Sequence, residues 1–146
     1  MLKTTIFDTN NKPGESEKRE VIDFLFENLE QYGDPKKQIE KAIDYSTKEF
    51  DSFGGFTILL QEEDKIKGAV VINQTGMSGY IPENILVYIA IDKNSRGEGL
   101  GKLLMKRAIE HADGDIALHV EANNPAIKLY EKLGFRNPYL EMRLKK

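Results

Sequence analysis

Apolar positions change their period along the chain, from helical spacing near the N-terminus to strand-like runs in the middle and back again. A short β-prone run, roughly Leu2 to Phe7, ends in a turn-rich stretch from Asp8 to Gly14. From Ser16 onward, Val21, Ile22, Leu25, Phe26 and Leu29 fall at helical spacing, and Gly33 stops the pattern. Asp34-Pro35 then places a capping residue before a proline. This predicts a second helix to about Phe50, with Ile39, Ala42, Ile43 and Tyr45 inward and Gly54-Gly55 as its breaker.

The period then shortens. Phe56 to Gln61 and Ile66 to Asn73 are β-branched and aliphatic runs joined by Glu62-Glu63-Asp64-Lys65, the pattern of a hairpin. A loop from Thr75 to Pro82 leads into Ile85-Leu86-Val87-Tyr88-Ile89-Ala90-Ile91, apolar on both faces as a central strand is. A helix is expected from about Gly99 to Ala112, then a strand from Ile116 to Glu121. A short helix (Ala126 to Leu133) and a last strand (Tyr139 to Leu144) complete the chain. The predicted order is β-α-α-β-β-β-α-β-α-β, a single mixed α/β domain over residues 1–146.

Composition narrows the function classes. The 146 residues are 40% hydrophobic and 31% charged, a globular balance. With no cysteine and only His111 and His119, neither a disulfide framework nor a histidine–thiolate metal site is available, and no metal is expected. A net charge of −3 gives no basic face for nucleic acid. No apolar run has the length of a membrane span, and the N-terminus lacks the apolar core of a signal peptide, so a cytoplasmic protein is expected.

The most informative stretch is Arg96-Gly97-Glu98-Gly99-Leu100-Gly101, which follows the strongest strand and opens a helix. Glycines let the backbone turn tightly and present its N–H groups, and a helix N-terminus adds unpaired donors and partial positive charge. Such a turn suits a pyrophosphate, with Arg96 and Lys102 placed to add charge-assisted contacts. It is not a Walker loop, because no Gly-Lys-Ser/Thr closes it. It is not the dinucleotide fingerprint either, because it lies late in the chain, after a β-meander.

A second stretch, Asn123-Asn124-Pro125-Ala126-Ile127-Lys128-Leu129-Tyr130-Glu131-Lys132-Leu133-Gly134-Phe135, completes a pattern with the first. Arg96, Gly99 and Gly101 match the R/Q-x-x-G-x-G/A motif of the GNAT N-acetyltransferases. Asn123, Ala126, Tyr130, Gly134 and Phe135 match that superfamily's N-x-x-A-x-x-x-Y-x-x-x-G-F segment. The chain resembles this superfamily over nearly its whole length. The resemblance implies a mostly antiparallel mixed sheet with a V-shaped opening between the fourth and fifth strands, where acetyl-CoA lies as acyl donor.

Carried over by position, the implied cofactor-binding set is Ile89, Ala90, Ile91, Arg96, Gly97, Glu98, Gly99, Leu100, Gly101, Lys102, Asn123, Ala126 and Tyr130. The turn would hold the pyrophosphate, Ile89 and Ile91 the thioester and pantetheine arm, and Tyr130 would protonate the departing thiolate. Asn123 would contact the pantetheine or cap the helix at Asn124-Pro125. For the general base, His119, Glu83 and Glu121 are the candidates. Tyr45, Phe53 and Tyr80, with Glu83 or Asp51, would form the acceptor pocket. The expected reaction is acetyl transfer to an amine of a small molecule or peptide, by a monomer or homodimer without nucleic acid or membrane partners. The alternatives are a protein N-terminal or lysine acetyltransferase, or an acyl-CoA-binding regulatory module without turnover.

Overall fold

The structure is a computed structural model describing residues 1–146. Five strands, β1 (Lys3–Phe7), β2 (Gly55–Glu62), β3 (Lys65–Gln74), β4 (Asn84–Ile91) and β5 (Ile116–Leu118), form one sheet in chain order. The first three pairings are antiparallel; β4 and β5 are parallel. The helices are α1 (Glu15–Leu29), α2 (Lys36–Thr47), α3 (Leu100–His111) and α4 (Ile127–Lys132). None is long and apolar enough to cross a membrane.

Period-two alternation divides the core between the two faces of the sheet. Ala69 and Val71 of β3 join Leu59, Tyr88 and Ala90 under Val21, Ile22 and Leu25 of α1 and Ile39 and Ile43 of α2. Val70 and Ile72 join Ile58, Leu60 and Leu86 under Leu104, Met105 and Ala108 of α3 and Tyr130 of α4. Both faces are covered, which is why β2 and β3 read as unbroken apolar runs rather than alternating ones.

Helix ends follow local chemistry, with some departures from the sequence reading. The Glu17 carboxylate accepts the Gly14 N–H (2.8 Å) at the start of α1. Asp34 does not cap α2: its carboxylate accepts the Tyr88 hydroxyl at 2.6 Å instead. α2 ends at Thr47, short of Phe50, because Lys48 turns left-handed (φ 58°) and donates back into the last turn. β5 is only three residues long, since it follows β4 through Leu86↔Leu118 and pairs no further.

The expected last strand does not form. Residues 136–146 carry no regular structure, and Tyr139, Leu140, Met142 and Leu144 are 84–91% exposed. Strands need a paired neighbour for their N–H and C=O groups, and this segment meets none within the chain.

Candidate active site

The divergence of β4 from β5 creates the site. Beyond Leu86 the outer edge of β4 has no partner strand. The Asp92 N–H donates to the Lys67 carbonyl (2.9 Å), so alternation sends the N–H groups of Ala90 and Tyr88 toward β3 as well. The backbone groups of Ile89 and Ile91 therefore point to the open edge. A cavity of about 500 Å³ lies against it, closed by the 95–101 turn, the first residues of α4 and the C-terminal end of α1.

The glycine turn forms one wall. Gly97 (φ 84°) and Gly99 (φ 81°) sit in the left-handed region, and a Cβ built on either meets nothing within 4 Å. Chain geometry, not crowding within the protein, demands glycine here. The N–H groups of seven consecutive residues, Arg96 to Lys102, find no acceptor in the chain. The last three open α3, where the helix dipole favours negative charge. Donors in such a row suit a multiply charged anion.

Tyr130 forms part of the opposite wall. The short helix α4 carries it inward, and its ring packs against Phe135 at 5.9 Å between centroids. Its hydroxyl makes no hydrogen bond to protein, yet the oxygen is not sealed off from accessible space. Burial pushes the phenol above its ordinary value, so it stays protonated and able to donate near neutral pH.

Of the residues singled out in the sequence, Ile89, Ala90, Ile91, Arg96, Gly97, Gly99, Leu100, Gly101, Ala126 and Tyr130 line this cavity. Glu98, Lys102 and Asn123 do not. Asn124 takes the place expected of Asn123: it lines the cavity, and its Oδ1 accepts the Ala126 N–H at 2.9 Å. Asn123 instead offers its carbonyl to the Tyr32 hydroxyl (3.4 Å). Arg96 spends its guanidinium on α1, donating to Glu30 Oε1 (2.9 Å) and to the Asn28 carbonyl (3.0 Å). It ties the turn to the end of α1.

The three base candidates lie elsewhere. Glu83 precedes β4, about 20 Å along the strand from Ile89 at 3.3 Å per residue. Its carboxylate accepts the Asp115 N–H (2.7 Å) and the Gly79 N–H (3.4 Å), and these bonds hold its pKa below the ordinary value. It latches a loop. His119 and Glu121 are exposed beyond the end of β5 and line neither main cavity. A second cavity of about 420 Å³, on the α2 side of β4, is lined by Tyr45 and Tyr88 among others. Of the expected acceptor residues only Tyr45 reaches it; Phe53 and Tyr80 are exposed.

The end of α1 had no signal in the sequence. Asn28, Leu29, Glu30 and Tyr32 all line the main cavity. Asn28 is buried, its Oδ1 accepting the Lys93 N–H (2.9 Å), and Glu30 adopts φ 55°. Asparagine and glutamate at a helix end read as ordinary surface residues. Only the fold brings them against the turn.

Comparison with known proteins agrees with this geometry. The model of the acetyltransferase (GNAT) family matches residues 20–135. An aminoglycoside N-acetyltransferase, AAC(6')-Iy, solved in complex with CoA, superposes with a TM-score of 0.72 at 11% identity, covering 100% of this chain and 95% of that one. The ribosomal-protein-S18-alanine N-acetyltransferase from Escherichia coli gives 0.64 at 18% identity, covering 92% and 78%. A transcriptional regulator from Bacillus halodurans gives 0.69 at 18% identity, covering 99% and 100%. With the family model spanning most of the chain, and both of its motifs folded around one cavity, this protein belongs to the GNAT acetyltransferase family, whose members use acetyl-CoA, and is an acyltransferase.

Proposed function

We propose that the chain moves an acetyl group from acetyl-CoA to a primary amine of a small molecule or peptide by direct attack. The observation that carries this reading is the continuity of three features along one cavity: the row of free N–H groups, the open edge of β4 and the unbonded Tyr130 hydroxyl. The turn from Arg96 to Lys102 receives the diphosphate. The Ile89 and Ile91 edge pairs with the pantetheine arm as an added strand would. The Ile89 N–H then donates to the thioester carbonyl oxygen as negative charge grows there, a contribution typically worth about 2.7–4 kcal/mol of barrier.

A neutral amine attacks the carbonyl carbon; the C–N bond forms, the C–S bond breaks, and Tyr130 donates its proton to the departing sulfur. Water then restores the phenol proton. The second cavity supplies the approach for the acceptor, with Tyr45, Tyr88 and Lys41 on its wall and the Tyr88 hydroxyl held by the Asp34 carboxylate. Neither cavity is lined by histidine, and Glu30, the one carboxylate lining either, is paired with Arg96. Solvent therefore takes the amine proton.

His119→Ala should leave kcat/KM within about twofold of wild type. The pH profile should rise with the titration of the acceptor's own amine, near pH 10 for an alkyl ammonium, rather than with an imidazole. A tenfold loss on His119→Ala would show that His119 is the base. The reaction itself is checked by acetyl-CoA-dependent release of free thiol, screened against polyamines, amino acids, aminoglycosides and short peptides. Release with one class identifies the acceptor. Tight CoA binding without release under any of them would favour a binding module instead.

A further inference from the structure

Helix α2 divides its charge between two sides. Its acidic residues Glu40 and Asp44 are taken up by α1, where Lys18 meets Asp44 at 3.1 Å and Arg19 meets Glu40 at 3.6 Å. Lys36, at the start of α2, pairs with Asp23 of α1 at 2.9 Å. Lys41 instead lies on the wall of the second cavity, and no carboxylate or other acceptor in the chain engages its ammonium. Lys37, four residues earlier, stands on the same side of the helix. An uncompensated positive charge therefore borders the cavity.

Nothing on the wall opposes that charge. No carboxylate lines the cavity. The nearby acids are engaged: Asp34 accepts the Tyr88 hydroxyl (2.6 Å), and Glu49 pairs with Lys12 (3.6 Å). Most of the remaining wall is aromatic or aliphatic, with the Tyr45 and Phe50 rings edge to face at 6.2 Å between centroids. The order along the wall is fixed by two contacts. Asp34, just before α2, reaches Tyr88, the neighbour of Ile89. At the far end the Tyr45 hydroxyl donates to the Gln74 carbonyl (2.8 Å), beside the first residue of β4. Leading away from the Ile89 N–H, the helix thus presents Gln38, then Lys41 about 4.5 Å further along the axis, then Tyr45 about 6 Å beyond.

We infer that the acceptor is a primary amine that also carries a carboxylate and an apolar body, the combination an apolar amino acid presents. The inference rests on the assignment of the second cavity to the acceptor. The amine lies beside Tyr88, next to the acyl carbon; the carboxylate pairs with the Lys41 ammonium, and the body packs on Tyr45 and Phe50. Lysine suits this task, because its charge rides on a flexible four-carbon stem that follows the carboxylate. Transfer forms the N–C bond, breaks the C–S bond, gives the Tyr130 proton to sulfur and the amine proton to water, and leaves the carboxylate unchanged. Polyamines and aminoglycosides, whose charges are all positive, meet a like charge at Lys41 and no carboxylate to offset it.

The test is thiol release at saturating acetyl-CoA with phenylalanine, with phenethylamine (the same body without the carboxylate) and with spermidine. Wild type, Lys41→Glu and Lys41→Arg are compared by the ratio of kcat/KM for phenylalanine to that for phenethylamine, which cancels any loss of folded enzyme. Wild type is expected to favour phenylalanine by about tenfold or more, the scale of one charge-assisted contact. Lys41→Glu should reverse the preference and Lys41→Arg should keep it. A wild-type ratio at or below one overturns the inference, as does a ratio that Lys41→Glu moves by less than about threefold. Release with spermidine but not phenylalanine overturns it while leaving acetyl transfer standing. If no amine gives release, binding of N-acetylphenylalanine to the CoA-saturated protein is measured by calorimetry. Binding that Lys41→Glu abolishes upholds the carboxylate site and removes the transfer reading; absence of binding overturns this inference as well.

Discussion

Gly99→Val should raise the KM for acetyl-CoA by about 100-fold or more while leaving the fold intact. Gly99 sits at φ 81°, a conformation that costs an L-residue about 1–2 kcal/mol, and more for a β-branched side chain. Space is not the objection: a Cβ there meets no protein atom within 4 Å. The side chain would instead project into the cavity side of the turn, and a backbone relaxing toward φ < 0 would swing the neighbouring N–H groups out of line. Charge-assisted hydrogen bonds contribute about 1.5–3 kcal/mol each. Losing two of them is about 3 kcal/mol, or about 100-fold in affinity. Thermal unfolding should register only the local strain. Steady-state kinetics over a wide acetyl-CoA range checks the prediction, and a KM within threefold of wild type would remove the turn from the binding site.

Tyr130→Phe should lower kcat by about 100-fold or more, within the range of about 10²–10⁴ that a positioned proton donor contributes, with little change in the KM for acetyl-CoA. The substitution is clean because the hydroxyl has no protein partner to orphan, and the ring keeps its contact with Phe135. The pH dependence has a definite sign. Burial raises the Tyr130 pKa, so the donating form persists at and above the ordinary phenol value near 10. Any alkaline fall in rate from this group therefore lies above pH 10. Stability follows the same sign: Tyr88 and Tyr130 both have raised values, so their contribution is fully present below about pH 10 and is lost as pH rises through the folded values. A kcat for Tyr130→Phe within twofold of wild type would assign the ring a packing role only.

The sheet and helices were legible because their signals are local. The apolar runs of β2, β3 and β4 and the spacing of Val21, Ile22 and Leu25 each depend on nothing beyond their own windows. The glycine turn was legible for the same reason, its chemistry being carried by contiguous backbone. What escaped the sequence was long-range. Arg96 reads as a free cation beside a phosphate loop; that it reaches Glu30 and the Asn28 carbonyl depends on where α1 ends in space. Asp34 before a proline reads as a helix cap, but the Tyr88 hydroxyl competes for it. His119, Glu83 and Glu121 carry suitable chemistry near suitable strands, yet one strand end lies far from the other. The alternation of residues 139–144 is a strand signal that no neighbouring strand pairs with in the structure.

The central claim is that acetyl-CoA lies across the Arg96–Lys102 turn and along the open edge of β4. Amide hydrogen exchange, resolved by residue and compared between free and acetyl-CoA-saturated protein, tests this without any substitution. The account predicts slowed exchange at the amides from Arg96 to Lys102, which have no acceptor in the chain, and at Ile89 and Ile91. Unchanged exchange in the turn and at the β4 edge, with protection appearing elsewhere on the molecule, would contradict it.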